Sequence, residues 1–201
     1  MEQKVFGIGY NKTGLTSLRY ALKELKYKVG DRASVFRFIN SWAKRDFNPI
    51  IEFCKTSDAF IDIPFSRSYT FQILDHVFTN SKFILTIRDY EEWFDSFVRY
   101  NIKRYSSTDN PPTEQDFKNN NLVYKGFLWD LMKVSFGDVP LFDKKAYVKI
   151  YNKHNEDIID YFKFRKDLLI LKVSDKQAYP MLCKFLDKPI INKDFPWKNK
   201  S

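Results

Sequence analysis

Two segments of the chain gather residue types that bind anions. The first, Gly9-Tyr10-Asn11-Lys12-Thr13-Gly14-Leu15-Thr16-Ser17, follows a short apolar run from Val5 to Ile8 and opens a stretch in which Leu15, Leu18, Leu22 and Leu25 recur at helical spacing. Glycines at both ends let backbone N–H groups curl around an anion at a helix N-terminus. Lys12 adds a point charge, and the Thr16 and Ser17 hydroxyls add donors. Against the nucleotide-binding pattern G-x-x-x-x-G-K-(S/T), both glycines and Thr16 match. Leu15 stands where the lysine belongs, and Lys12 comes three positions early. The competing reading is a tight turn followed by a helix that Thr13 caps.

The second segment, Phe83 to Ser96, repeats the strand-turn-helix design. Arg88 falls at the end of a buried strand, where an open α/β sheet presents its ligands, and Ser96 follows eight residues later. A fixed guanidinium with a nearby hydroxyl suits a second phosphate. Alternatively, Arg88 pairs with Asp89 or Glu92 at the surface and Ser96 only packs. Asp62, at the C-terminal end of a strand beside the first turn, is a candidate proton acceptor; it could instead cap a helix or pair with Arg67. The chain has two histidines. His154 reads either as a base or as a hydrogen-bonded structural imidazole, whereas His76 sits within a helical pattern and reads as ordinary.

These residues need a scaffold, and the order of patterns supplies one. Strands are expected at Val5–Gly9, Ala59–Ile63 (stopped by Pro64), Lys82–Ile87 and Leu168–Val173. Helices are expected after Gly14, from Asn48 to Phe53, Tyr69 to Phe78, Glu91 to Tyr100, around Tyr124–Met132, Lys145–Phe162 and Ala178–Leu186. Strands alternating with helices predict an α/β fold, a mainly parallel sheet flanked by helices in three layers, of the P-loop type. The polar stretch Arg104–Asn121, with Pro111-Pro112 and Asn119-Asn120-Asn121, reads as a long loop or lid within a possible acceptor-side insertion at 101–140.

A length of 201 residues, 44% of them hydrophobic, suits one domain with its own core. No apolar run nears the ~18 residues that span a bilayer, and the first strand begins too early for a signal peptide; both predict a cytoplasmic protein without membrane contact. Cys54 and Cys183 are far apart in apolar helical contexts and read as buried thiols. The net charge of +9 is scattered, with no basic block or stripe of interleaved aromatics; a small polyanionic ligand, nucleic acid or simply solvated lysine-rich faces would each account for it, and charge alone does not choose among them.

Taken together, the two anion segments resemble the sulfotransferases that use 3′-phosphoadenosine 5′-phosphosulfate (PAPS). Lys12-Thr13-Gly14-Leu15-Thr16-Ser17-Leu18 is similar to the phosphosulfate loop of that superfamily, and Arg88 with Ser96 to its 3′-phosphate motif. The likeness extends to Asp62, Pro64 and Phe65, to Ser81 through Trp93, to Tyr151, His154 and Asn155, to Asp167–Leu169 and Leu182–Leu186, and to Phe195, Pro196 and Asn199. The chain departs from the family at Leu15, where a threonine is usual, and across 101–140, which matches no part of it.

The resemblance implies an enzyme that moves a sulfuryl group from PAPS to a hydroxyl or amine of a small-molecule or carbohydrate acceptor by in-line displacement. It implies that Lys12 stabilises the bridging oxygen, and that Asn11 through Ser17 hold the 5′-phosphosulfate. Arg88 and Ser96 then hold the 3′-phosphate, Asp62 or His154 serves as base, and no metal is required. A nucleoside or nucleotide kinase is the same-fold competitor, but it would need a lysine at position 15 and a magnesium-binding acid such as Asp62 or Asp89. A non-catalytic anion- or nucleic-acid-binding homologue would account for the charge but not for two separate anion motifs.

Overall fold

A computed structural model describes residues 3–32, 36–192 and 194–196. Four strands, β1 (Val5–Gly7), β2 (Ala59–Ile61), β3 (Lys82–Thr86) and β4 (Leu168–Leu171), form one sheet in the order β2-β1-β3-β4, and every neighbouring pair is parallel. The expected α/β architecture is present, with helices flanking the sheet. The strands are short because each is buried nearly throughout and stops where the chain must turn. The exception is β4, where Leu168 and Leu169 are half-buried and Ile170 is exposed, as befits an edge.

Period-two alternation assigns the two faces. In register, Phe6 lies between Phe60 and Phe83, and its ring lies 5.5–6.1 Å from those of Phe60, Phe65, Phe78 and Phe83. The other face carries Val5, Ala59, Ile61 and Ile84. It packs against Leu15, Leu18, Ala21 and Leu22 of α1 (Leu15–Glu24) and against Tyr179, Leu182 and Cys183 of the C-terminal helix at Ala178–Phe185. Each valine, leucine or isoleucine among them contributes roughly 1.5–3 kcal/mol when removed from water. Both cysteines are buried and free.

The helix α1 ends in a Schellman motif. The Tyr27 amide donates to the Leu22 carbonyl, the Lys26 amide donates to that of Lys23, and Lys26 itself is left-handed at φ 67°. A 3₁₀ turn (Phe36–Phe38) and α2 (Ile39–Ala43) follow, then α3 (Asn48–Phe53) and, after β2, α4 (Thr70–Val77). The pattern reading missed α2, a helix of five residues that buries only Ile39 and Trp42.

The chain divides into two compact units: one runs up to Arg88 and resumes at His154, and the other is Asp89–Lys153. The second unit contains α5 (Tyr90–Tyr105), α6 (Glu114–Asn119), α7 (Phe127–Phe136) and the start of α8 (Lys144–Phe162); α9 is the C-terminal helix at Ala178–Phe185. Aromatic stacking builds its interior: Trp93 on Tyr151 at 4.3 Å, and Phe136 on Tyr147 at 4.0 Å. The expected loop at 104–121 requires correction here. Helix α5 continues to Tyr105, and α6 lies inside the stretch. Thr113 and Asp116 form a capping box, and Phe117, 1% exposed, anchors the segment among Tyr105 and Phe142. Within that stretch only 106–113 and 120–121 lie outside helices, over largely exposed residues. No helix among the described residues is long and apolar enough to cross a membrane.

Candidate functional site

The first turn leaves β1 where the strand order reverses, with β2 on one side and β3 on the other, which is the position at which open α/β sheets bind ligands. Its backbone is pressed onto the end of β3. A Cβ at Gly9 would stand 2.3 Å from both the carbonyl and the hydroxyl oxygen of Thr86, so only glycine fits. Two left-handed residues then reverse the chain, Lys12 at φ 70° and Gly14 at φ 105°. A side chain at Gly14 would meet Val173 at 2.7 Å. Lysine has no ease in that conformation, and strain of this kind, about 1–3 kcal/mol, gathers at functional sites.

Thr13 does not cap α1, contrary to the competing reading. Its hydroxyl donates to the Tyr10 carbonyl at 2.5 Å and accepts from the Thr86 hydroxyl at 2.6 Å, tying the turn shut from within. The N-cap is Gly14, which supplies no side-chain acceptor, and the first turn of α1 holds no acid. The opening N–H groups at Leu15, Thr16 and Ser17 therefore face the turn without a capping oxygen, at the positive end of the helix dipole. The Leu15 side chain, 6% exposed, belongs to the core, so only its backbone is turned to the loop. Asn11, Lys12 and Thr16 are half-buried and Ser17 is buried.

Asp62 lies one residue beyond β2 and is also left-handed, at φ 77°. Its Oδ1 accepts from the Ile63 amide at 3.1 Å, and its Oδ2 pairs with Arg32 Nε at 3.1 Å. The expected alternative partner, Arg67, is occupied elsewhere. It is 3% exposed, lies with its guanidinium 4.8 Å from the centre of the Tyr10 ring, and donates to the Ser66 carbonyl. Burial lowers the pKa of Arg67, opposed by the attraction of Tyr10 and Asp62.

His154 is 3% exposed, and its Nε2 lies 2.9 Å from the Ile8 carbonyl. A carbonyl only accepts, so Nε2 carries the proton and Nδ1 holds the lone pair; Nδ1 is buried and meets no protein partner. Burial pushes the pKa of the ring down to about 4. His154 thus fastens α8 to the residue that enters the first turn, with its edge against Tyr10 at 4.7 Å between ring centres. His76 is exposed on α4.

Arg88 is half-buried and ends its unit two residues after β3. Ser96 lies in the other unit, on α5, 1% exposed and with its hydroxyl lacking a protein partner. The N-terminus of α5 differs from that of α1. Asp89 caps it by accepting from the Glu91 and Glu92 amides, and both of those residues are acidic. An anion near this turn would therefore depend on side chains, because the helix amides are already satisfied.

The structure also brings in residues that sequence reasoning passed over. Thr86 was one apolar-strand residue among several, and only its contact with Thr13 gives it a role. Arg19 and Arg32 read as scattered charge, yet with Asp62 they border one cleft beside α1. Of the remaining motif residues, Phe65, Tyr151, Leu182 and Phe195 are buried in packing. Asn199 lies outside the described residues.

No curated relative matches the chain. The model of a sulfotransferase domain family matches residues 4–201, nearly the whole length and with both anion segments included. A turn closed by Thr13 and Thr86 over an uncapped helix, within a match of that extent, places this chain in the sulfotransferase domain family.

Proposed function

We propose that the protein transfers a sulfuryl group from PAPS to the hydroxyl or amine of a small acceptor. The observation that carries this reading is the N-terminus of α1: uncapped, free of acids, and held over the end of β3 by the Thr13–Thr86 contact. Such an N-terminus suits the 5′-phosphosulfate. The burial of the Leu15 side chain in the core weighs against the kinase alternative, which needs a lysine reaching the phosphates from that position.

The reaction is an in-line displacement. As the acceptor oxygen or nitrogen bonds to sulfur, the bond from sulfur to the bridging phosphate oxygen breaks, and the phosphate leaves with the electron pair. Lys12 is proposed to neutralise the charge growing on that oxygen, and the amides and hydroxyls at Thr16 and Ser17 to hold the phosphosulfate in line. The acceptor's proton goes to Asp62, which borders the cleft next to Thr16. His154 is the weaker candidate for base, since its one free nitrogen is buried; its proposed part is to hold the turn through Ile8. Arg88 and Ser96 are proposed as ligands of the 3′-phosphate on the sequence motif.

Lys12→Ala tests the assignment. Removal of a single donor to a developing charge costs about 10²–10³ in rate. The variant should lose turnover of that order while its thermal melt stays within a few degrees of the parent. A kcat equal to that of the parent, with any acceptor the parent uses, would remove Lys12 from the chemistry.

A further inference from the structure

The end of the sheet opposite the first turn is where the strands begin, and the chain segments that meet there hold one another closely. The Lys28 amide, just past α1, donates to the Asp58 carboxylate ahead of β2. The Phe83 amide donates to the Asp167 carbonyl ahead of β4, and Lys82 Nζ reaches the Phe185 carbonyl at 2.5 Å and Asp187 at 2.7 Å. Four strands about 4.8 Å apart make this end roughly 15 Å across.

Two turns here hold apolar side chains out in water, and both are firmly fixed. Arg165 pins the turn between α8 and β4. It donates to both oxygens of Asp75, at 2.5 and 2.6 Å, and to Asp167 at 3.0 Å, while Phe164 beside it is 91% exposed. The other turn follows α9, which closes in a Schellman motif: the Lys188 amide donates to the Cys183 carbonyl, the Asp187 amide to that of Lys184, and Asp187 is left-handed at φ 53°. Pro189 cannot continue the helix, and Asn192 Nδ2 donates to Glu24 of α1 at 2.8 Å. Between those anchors Ile190 and Ile191 stand 61% and 52% exposed. Ordering an isoleucine costs side-chain entropy that burial ordinarily offsets, and here nothing in the fold buries it.

The charge around these side chains has one prevailing sign. Among the described residues in the last helical turns and the segments leading into the strands at this end, eleven cations meet seven carboxylates. The exposed Lys26, Lys28, Lys163, Lys166, Lys184 and Lys188 have no carboxylate within ion-pair distance among the described residues. Two of them lie against rings instead, Lys163 by Phe164 and Lys188 by Tyr27, each at 5.1 Å. Lysine is depleted in the cores of protein–protein interfaces, and isoleucines offer no ring on which a base stacks. Protruding apolar side chains among lysines fit an anionic lipid surface, which takes up the first and attracts the second.

We propose that this end of the protein docks on a bilayer surface of anionic phospholipid, with Phe164, Ile190 and Ile191 entering among the headgroups and the lysines facing the lipid charge. The expectation of no membrane contact rested on the lack of a spanning run, and a peripheral surface needs none. The first turn lies at the other end of the strands and stays open to water, so the proposal is independent of the donor reading.

The test is co-sedimentation of the full chain with vesicles in about 0.1 M salt, where surface charges still act at short range. Phosphatidylcholine vesicles with about 30% phosphatidylserine should hold the protein at least about 20-fold more tightly than phosphatidylcholine alone, since each lysine near such a surface contributes about fivefold. Phe164→Ser and the double variant Ile190→Ser/Ile191→Ser should each weaken that binding about 10-fold. Lys163→Gln/Lys166→Gln/Lys188→Gln should weaken it by at least as much. All of these side chains are exposed, so the variants should melt within a few degrees of the parent. Lys172→Gln/Lys176→Gln, past the opposite end of β4, should change binding less than about twofold. A parent protein that does not distinguish the two kinds of vesicle overturns the proposal. So does an equal loss in the Lys172/Lys176 variant, which would mean attraction without a defined face, or full binding by both apolar variants, which would mean no insertion. Tighter binding to a single-stranded RNA than to the vesicles, lost with the lysines but not with the isoleucines, would overturn it in favour of nucleic acid. None of these outcomes bears on the donor site.

Discussion

Three non-glycine residues near the proposed chemistry owe their roles to conformation or burial. Lys12 and Asp62 are both left-handed, in the turn after β1 and just beyond β2; lysine gains nothing from that backbone, whereas Asp62 steadies it by accepting from the Ile63 amide. Their side chains are the proposed electrostatic stabiliser and base. Asp62→Asn keeps the shape and the Ile63 contact but removes the basic lone pair, so kcat should drop by about 10²–10⁴; an unchanged kcat in a steady-state assay would move the base elsewhere. His154 makes a different prediction. Its folded pKa of about 4 lies below the ordinary 6.5, so the unfolded chain takes up a proton first as pH falls. The stability contributed by the neutral ring is complete above about 6.5 and is lost as pH drops toward 4, amounting to about 3 kcal/mol over that window. Urea unfolding from pH 7 to pH 4.5 should therefore show a steeper loss for the parent than for His154→Gln. Parallel curves would mean that the ring is not held neutral.

At the scale of elements, the fold was largely legible and the reasons are specific. Leu15, Leu18, Leu22 and Leu25 announce α1 by their spacing, and the continuous run from Lys82 to Ile87 announces β3. Composition misled at 104–121. Polar residues there hid a helix whose signals were the Thr113-x-x-Asp116 cap and one buried aromatic, Phe117. The helix α2 gave no period to read over five residues. The partners of Asp62 and Thr13 could not be read at all, because Arg32 and Thr86 are 30 and 73 positions away and only the folded sheet brings them near. The termination of α1 carries a prediction of its own. Lys26 occupies the left-handed C′ position of a Schellman motif, where glycine is at ease. Lys26→Gly should raise unfolding free energy by about 0.5–1 kcal/mol in chemical denaturation, a gain from a substitution that lowers stability in most helices. A loss of similar size would contradict the strained cap.

For the molecule as a whole, the family match over residues 4–201 and the net charge of +9 agree with the proposed donor, a nucleotide with three anionic groups that a basic surface would attract. Dispersed lysines alone would have suited nucleic acid equally well; the turn between β1 and α1 makes the difference, with glycines where backbone must pass, an uncapped helix, and a leucine where a kinase needs lysine. This turn is proposed as a phosphosulfate site that works without a metal. Thermal unfolding with and without 3′-phosphoadenosine 5′-phosphate (PAP), in chelator and then with ATP and magnesium, tests it most directly. PAP at 100 times its dissociation constant adds about 2.7 kcal/mol. That raises the melting temperature by roughly 5–10 °C for a chain of this length. A phosphosulfate site should give that shift in the absence of magnesium, with Arg88→Ala losing most of it and ATP producing little. A larger shift from ATP with magnesium, or none from PAP in a folded sample, would contradict it.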